Sequence, residues 1–410
     1  MRKQLITILL LLLVLSSCQV FRQSDDELSG RVVLWHGWTP EETAILEEAL
    51  DEFREIHPQV TVASLALPRS ELLEQYKQSA DDGLAPDLLL GSSDWVRKLA
   101  DDGLIRGFEN DEFSDLRLET GKLEATKYQD KVYGVPLSLY PRALYYNKGL
   151  VDTPPTTLDG LLDQATEGEE VAFVPRFEEA YWGIQAFGEG LFDEEGNPTL
   201  VDSGFAKWLE WLNNAQNEPG VILSADDTVL LDLFSQGRVA YYVADPGKQA
   251  ILKEVMGEEA FGVAPLPSGP EGSAGPLLPV ESIIFYLFSS QEQARTAIAL
   301  AEFLANQQQA NRFMRELDRV PANPGVRVDS RIYPNVSGFS RQARTAVIPP
   351  NELAWEELVA VGNRAYISAL SGILTPAEAV CRFGQELAVL QDLSEDEMRL
   401  PAGCAPIEAE

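Results

Sequence analysis

Aromatic rings and carboxylates recur beside the β-prone runs of this chain, and together they are suited to hydroxyl-rich molecules. Trp35, His36 and Trp38 close one such run, and Asp94 with Trp95 follows another. Tyr140 stands in a proline-marked segment, Glu179, Tyr181 and Trp182 cluster further on, and Asp245, Lys248, Glu281 and Trp355 complete the candidate set. Ring faces cover the apolar faces of a sugar while carboxylates accept its hydroxyl hydrogens. Opposed carboxylates are also what glycoside hydrolysis requires. Asp94, Glu179 and Glu281 could supply them, but among 65 acidic residues chance pairs are easy, so a secreted hydrolase is the alternative and a non-enzyme the expectation. His36 has no Cys or His at metal-ligand spacing, and no glycine-rich phosphate loop occurs, so neither metal nor cofactor is expected.

The elements that would position these groups alternate between strand and helix. Arg31 to Trp38 reads as a buried strand. Thr39-Pro40-Glu41-Glu42 has the capping-box pattern, and Leu46, Ala49, Leu50 and Phe53 recur at helical spacing until His57-Pro58. Val60 to Val62 forms the next strand, Ser70 to Asp82 a helix, and Asp87 to Leu90 another buried strand. Such alternation predicts a largely parallel, doubly wound sheet with ligands outside the strand carboxyl ends, where Trp35 to Trp38 and Gly91 to Trp95 fall. Asp94 has a second reading, as N-cap of a helix over Trp95 to Asp101. Further on, Ser203 is expected to cap a helix whose Phe205, Trp208, Trp211 and Leu212 make a core stripe.

Val132 to Leu150, VYGVPLSLYPRALYYNKGL, resembles the first interdomain crossover of the family 1 extracellular solute-binding proteins, the maltose-binding-protein-like receptors of ABC importers. The same family commonly has a turn like Trp35-His36-Gly37-Trp38 and a strand opened by a motif like Ala85-Pro86-Asp87. Gln236 to Tyr242 and Gly262 to Pro267 match its later strands. The resemblance implies an α/β, two-lobe periplasmic-binding-protein-like fold of type II, each lobe a mostly parallel sheet with helices on both faces, and a ligand cleft between lobes. It divides the chain into 31–138 plus 279–330 and 139–278 plus 331–410, linked through Ser138 to Arg142 and two later crossings. It also implies that Asp94, Glu179, Tyr181, Trp182 and the loop carrying Asp245 and Lys248 contact sugar, with Trp355 near the cleft. Gly247 stands where the maltose-specific pattern has an aromatic, which departs from maltodextrin itself. The partners implied are a mono- or oligosaccharide and the permease subunits of an ABC transporter, with the receptor a monomer. A lipoprotein that passes ligand state to a membrane sensor would share the fold.

The start of the chain reads as an address. Arg2 and Lys3 precede an apolar stretch from Leu5 to Leu15, and Leu15-Ser16-Ser17-Cys18 resembles a bacterial lipobox. Residues 1–17 are thus a signal peptide, Cys18 the lipidated residue and 18–30 a polar tether, placing the protein outside the cytoplasm and holding it to the membrane by lipid alone. An ordinary signal peptide or an uncleaved anchor is the other reading. Four hundred and ten residues exceed one hydrophobic core, and a net charge of −33 disfavours nucleic acid as a partner. With Cys18 taken by lipid, Cys381 and Cys404 remain as an even pair in an exported protein, and a disulfide is expected between them.

Overall fold

The computed structural model describes residues 28–109, 120–193, 196–390, 400, 401 and 404. The segment read as a signal peptide, Cys18 and most of the expected tether therefore lie outside the described residues.

Thirteen strands are described: β1 (Gly30–His36), β2 (Val60–Ala66), β3 (Leu88–Ser92), β4 (Lys127–Tyr128), β5 (Lys131–Val132), β6 (Gly134–Leu139), β7 (Ala143–Asn147), β8 (Val171–Phe173), β9 (Val221–Leu223), β10 (Tyr241–Ala244), β11 (Phe261–Ala264), β12 (Val280–Phe285) and β13 (Val320–Pro321). They form a six-stranded sheet in the order β13-β6-β12-β3-β1-β2, a five-stranded sheet in the order β11-β7-β10-β8-β9, and a hairpin of β4 and β5. The chain passes from the first sheet to the second at Tyr140-Pro141-Arg142 and returns between β11 and β12.

The sheets are mixed rather than mostly parallel. β1 runs parallel to β2 and β3, and β8 parallel to β9 and β10, as strand–helix alternation predicts. β12 is antiparallel to both β3 and β6, and β7 to both β10 and β11. The reason is the route of the chain. β7 and β12 each enter a sheet from the interlobe side, so they run away from it, whereas β1, β2, β3, β6, β8, β9, β10 and β11 run towards it.

Helices cover these sheets where periodicity places them. Thr39 makes both bonds of its capping box at the head of helix Pro40–Ile56, whose Leu46, Ala49, Leu50 and Phe53 are buried against β1 and β2. Helix Gln291–Ala305 closes the same core with Ala297, Leu300 and Leu304. Around the second sheet, helices Phe205–Ala215, Trp355–Leu370 and Pro376–Leu390 bury Trp208, Tyr366 and Phe383 together. Ser203 does not cap the first of these. Gly204 takes the N-cap position without a side-chain bond, and the Ser203 hydroxyl donates to the Leu200 carbonyl at 3.1 Å. A third apolar cluster, with Leu139, Ala143, Leu278, Val280 and Val320, continues beneath the crossings from one sheet to the other. Cys381 and Cys404 are disulfide-bonded, with Cα atoms 5.4 Å apart. Among the described residues no helix is long and apolar enough to cross a membrane.

Candidate functional site

Eight strands of the two sheets run towards the interlobe side, and the loops after β3, β8 and β10 carry polar side chains into one cleft. Beyond β3 come Ser92, Ser93 and Asp94, beyond β8 come Glu178 and Glu179, and beyond β10 come Asp245, Gly247 and Lys248. Arg69, from the loop after β2, joins Tyr140 and Arg142 of the first crossing, and Trp355 opens the last long helix pair. These groups surround a cavity of about 440 Å³ with walls from both lobes. The placement is the one expected of an open α/β sheet, whose strand carboxyl ends leave helix N-termini and loops free.

Charge in the cleft is unevenly compensated. Arg142 stands 3.8 Å from Glu179 and 4.0 Å from Asp245, while Arg176 binds Glu179 at 2.9 Å. Lys248 pairs with Asp227 at 2.6 Å. Burial opposes ionisation of Asp227, but Lys248 and the Tyr242 hydroxyl outweigh it and hold the carboxyl below its usual range. Glu178 makes no ion pair among the described residues and feels Arg142 only weakly; it accepts the Trp355 indole N–H at 3.2 Å. Burial, then repulsion from Glu179 and Asp94, pushes Glu178 up. Burial likewise raises Asp94 against the opposing bond from the Ser92 hydroxyl. Asp94 and Glu178 come from different lobes, so this repulsion acts across the cleft.

Aromatic faces are few. Tyr140 carries the Arg69 guanidinium 5.2 Å above its ring centre and, pushed up to about 12 chiefly by burial, stays a neutral phenol. Trp355 is half-buried and presents the other ring.

Of the sequence-predicted residues, Asp94, Tyr140, Glu179, Asp245, Lys248 and Trp355 line this cavity. The Asp94 side chain makes no N-cap bond; the helix over Val96–Asp101 is entered through Trp95 without one. Trp95 and Glu281 line a small side recess with Arg69, Gly37 and Gly91. The remaining aromatics are elsewhere. Tyr181 and Trp182 have no exposure, Trp182 packing 4.7 Å from Trp208 and 5.8 Å from Phe173. They follow Phe177–Ala180 on a helical turn that aims Glu178 and Glu179 at the cleft and every residue from 180 to 183 at the core. Trp38 is buried beneath Arg319, whose guanidinium lies 3.8 Å from its ring centre. Trp35 packs against the apolar cluster of Tyr76 and Leu99. His36 is fully buried; its Nδ1 accepts the Trp38 amide at 3.2 Å, and burial pushes it down to about 4. Among the described residues no group of three or more His, Cys, Asp or Glu is placed to hold a metal ion.

Sequence reading missed Arg69, Arg142, Glu178 and the two serines. Arg142 and Glu178 adjoin residues it singled out, and Arg69 follows a strand end, so the strand-end rule applied to β2 would have found it.

A sequence model of the bacterial extracellular solute-binding proteins matches residues 48–334. This chain belongs to that family. The binding protein is 27% identical over 348 residues to a maltotriose-binding protein of Pyrococcus abyssi, covering 78% of this chain and 73% of the relative. It is 22% identical over 393 residues to a galactooligosaccharide-binding protein of Bacillus subtilis, covering 90% and 92%. In three dimensions it is similar to the GacH receptor of Streptomyces glaucescens, solved unliganded and with acarbose, with a TM-score of 0.74 at 23% identity over 90% of this chain and all of the receptor. That likeness establishes the two-lobe, type II fold of the binding protein.

Proposed function

We propose that this binding protein captures a mono- or oligosaccharide between its lobes and delivers it to the permease of an ABC importer. The observation that carries the reading is the cleft itself. Hydrogen-bonding groups from both lobes, with Tyr140 and Trp355, face one cavity large enough for a small sugar. Asp94, Glu178, Glu179 and Asp245 accept hydroxyl hydrogens, Arg69, Arg142 and Lys248 donate to ring and hydroxyl oxygens, and the two rings cover apolar sugar faces. The names of the relatives support this substrate class. Trp95 and Glu281 would act from the side recess, while Trp35, His36, Trp38, Tyr181 and Trp182 support the walls.

The moving units of this reading divide near 138/139, 278/279 and 330/331. The protein is held outside the cytoplasm by lipid on Cys18 and does not turn its sugar over. A thermal-shift screen against mono-, di- and oligosaccharides tests it, because a ligand bound only by the folded state raises apparent stability by mass action. A rise with one sugar, recovered chemically unchanged, is the expected result. No shift across the panel would sink the reading, and release of new reducing ends would replace it with hydrolysis.

A further inference from the structure

Behind the cleft floor lies a buried ionic hub centred on Arg319, a residue that the capture reading does not use and that reaches the cleft only through Tyr140 and Glu281. Arg319 is 5% exposed and ion-paired with Glu281, itself 7% exposed. It also binds Glu42 at 2.8 Å and donates to the Tyr140 hydroxyl at 2.9 Å. The Trp38 indole donates to the other Glu281 oxygen at 3.0 Å. Burial alone would lower the Arg319 pKa, yet Glu281, Tyr140 and Glu42 more than offset it, so the guanidinium stays charged. Isolated buried charges are costly, and a cation whose two terminal nitrogens bind Glu281, Tyr140 and Glu42 ties the positions of those three groups to one another.

Those partners stand at the interlobe passages. Tyr140 is the first residue of the outward crossing and its amide donates to the Pro279 carbonyl at 3.0 Å, just before β12. Glu281 is the second residue of β12, at a register shift. Arg319 immediately precedes β13, which pairs with the end of β6. Its neighbour Asp318 faces the other lobe: the carboxylate pairs with Lys253 at 2.5 Å, and the carbonyl accepts from Gln249 at 3.3 Å. Both belong to helix Gln249–Met256, which starts directly after the cleft residues Asp245 to Lys248. Asp318 holds a left-handed backbone, φ 53° and ψ 24°, which turns adjacent side chains to opposite lobes.

We propose that Asp318 and Arg319 are positioning residues for capture, a two-sided clamp that sets the angle between the lobes of the ligand-free protein. Arg319 holds the first lobe and, through Tyr140, the perch of Arg69 in the cleft wall. Asp318 holds the second lobe through the helix that begins at the cleft. This rests on the reading that the lobes move relative to each other around a ligand, and its test needs no ligand.

Spin labels at Gln75→Cys in the first lobe and Glu210→Cys in the second, both exposed helix positions, report interlobe distance in the full chain in detergent. Asp318→Asn removes the ion pair while keeping a side chain that tolerates the left-handed backbone. Lys253→Met removes the same pair from the other lobe. Glu258→Gln removes only the second partner of Lys253, 2.9 Å away within its own lobe. In the absence of sugar, the first two variants are expected to show a second or broadened interlobe distance, with the thermal midpoint of each close to the parent's, and Glu258→Gln the parental distribution. Parental distributions in both Asp318→Asn and Lys253→Met overturn the proposal, as does a change produced equally by Glu258→Gln. If the variants shift but no sugar narrows the parental distribution, the clamp stands and sugar capture falls; if sugar acts and the variants do not shift, the reverse holds.

Discussion

His36 ends β1 with both ring nitrogens out of solvent, one accepting a backbone hydrogen and the other, Nε2, without a partner among the described residues. Its folded value of about 4 lies below the ordinary 6.5. Between these values the unfolded chain takes up a proton that the folded chain refuses, so this stability is complete above pH 6.5 and lost as pH falls towards 4. The difference is on the order of 3 kcal/mol. Denaturant unfolding of His36→Gln at pH 7 and at pH 4.5 should show a smaller drop between the two than the parent shows; an equal drop would remove His36 from the acid limb. Glu178 has the opposite sign. Its raised value makes the folded chain bind the extra proton, so its unfavourable contribution grows as pH rises from the ordinary carboxyl range through the folded value. Glu178→Gln should therefore raise the thermal midpoint at pH 7 and leave it near the parent's at pH 4. Trp355→Ala should weaken sugar binding about tenfold in calorimetry, the loss of one stacking face. Acids at strand ends were legible in the sequence because the strand direction sends them to the cleft. Tyr181 and Trp182 were not, because one residue of rotation on a short helical turn exchanges cleft for core, and that rotation is set by Trp208 packing from a distant helix.

Single elements show where local pattern suffices and where packing decides. The capping boxes at Thr39 and Thr375 form as their spacing dictates, since both bonds lie within one turn. The strand directions of β7 and β12 were not available locally, because they depend on which lobe the chain has just left. Gly183 illustrates a constraint visible only in three dimensions: a Cβ there would lie 2.2 Å from the Trp208 ring. Gly183→Ala should cost about 1–3 kcal/mol by overpacking, measured as a shift in denaturant midpoint with unchanged slope. The disulfide from Cys381 to Cys404 spans a sequence separation of 23 and ties the described part of the tail to the last helix. By loop entropy, replacing both cysteines with alanine should cost about 3 kcal/mol. A parent that loses no stability on reduction would show that the tail is held by packing alone.

At the scale of the molecule, capture should change shape as well as stability. Scattering from the protein with a sugar found by screening should show a smaller radius of gyration than without it, because a ligand held by groups from both lobes favours the state in which both are in reach. An unchanged radius at saturation would confine binding to one lobe. The two-lobe plan was legible because its crossover, Val132 to Leu150, is a long local pattern; the hub around Arg319 was not, because its members are scattered from residue 38 to residue 319.

The strand order also fixes when each sheet can be completed. The second sheet draws on residues 143 to 264, one continuous stretch, so its strands can pair as soon as that stretch has emerged from an export channel. The first sheet has β12 between β3 and β6, and until residue 285 arrives those two strands have no partner on their facing sides. A chain delivered from its amino end thus exposes two raw strand edges for the time taken to deliver well over a hundred further residues, the condition in which edge-to-edge aggregation is most favoured. The sheet that is begun first is finished last: β12 brings Glu281, and β13, the strand that completes the sheet, follows directly on its buried partner Arg319.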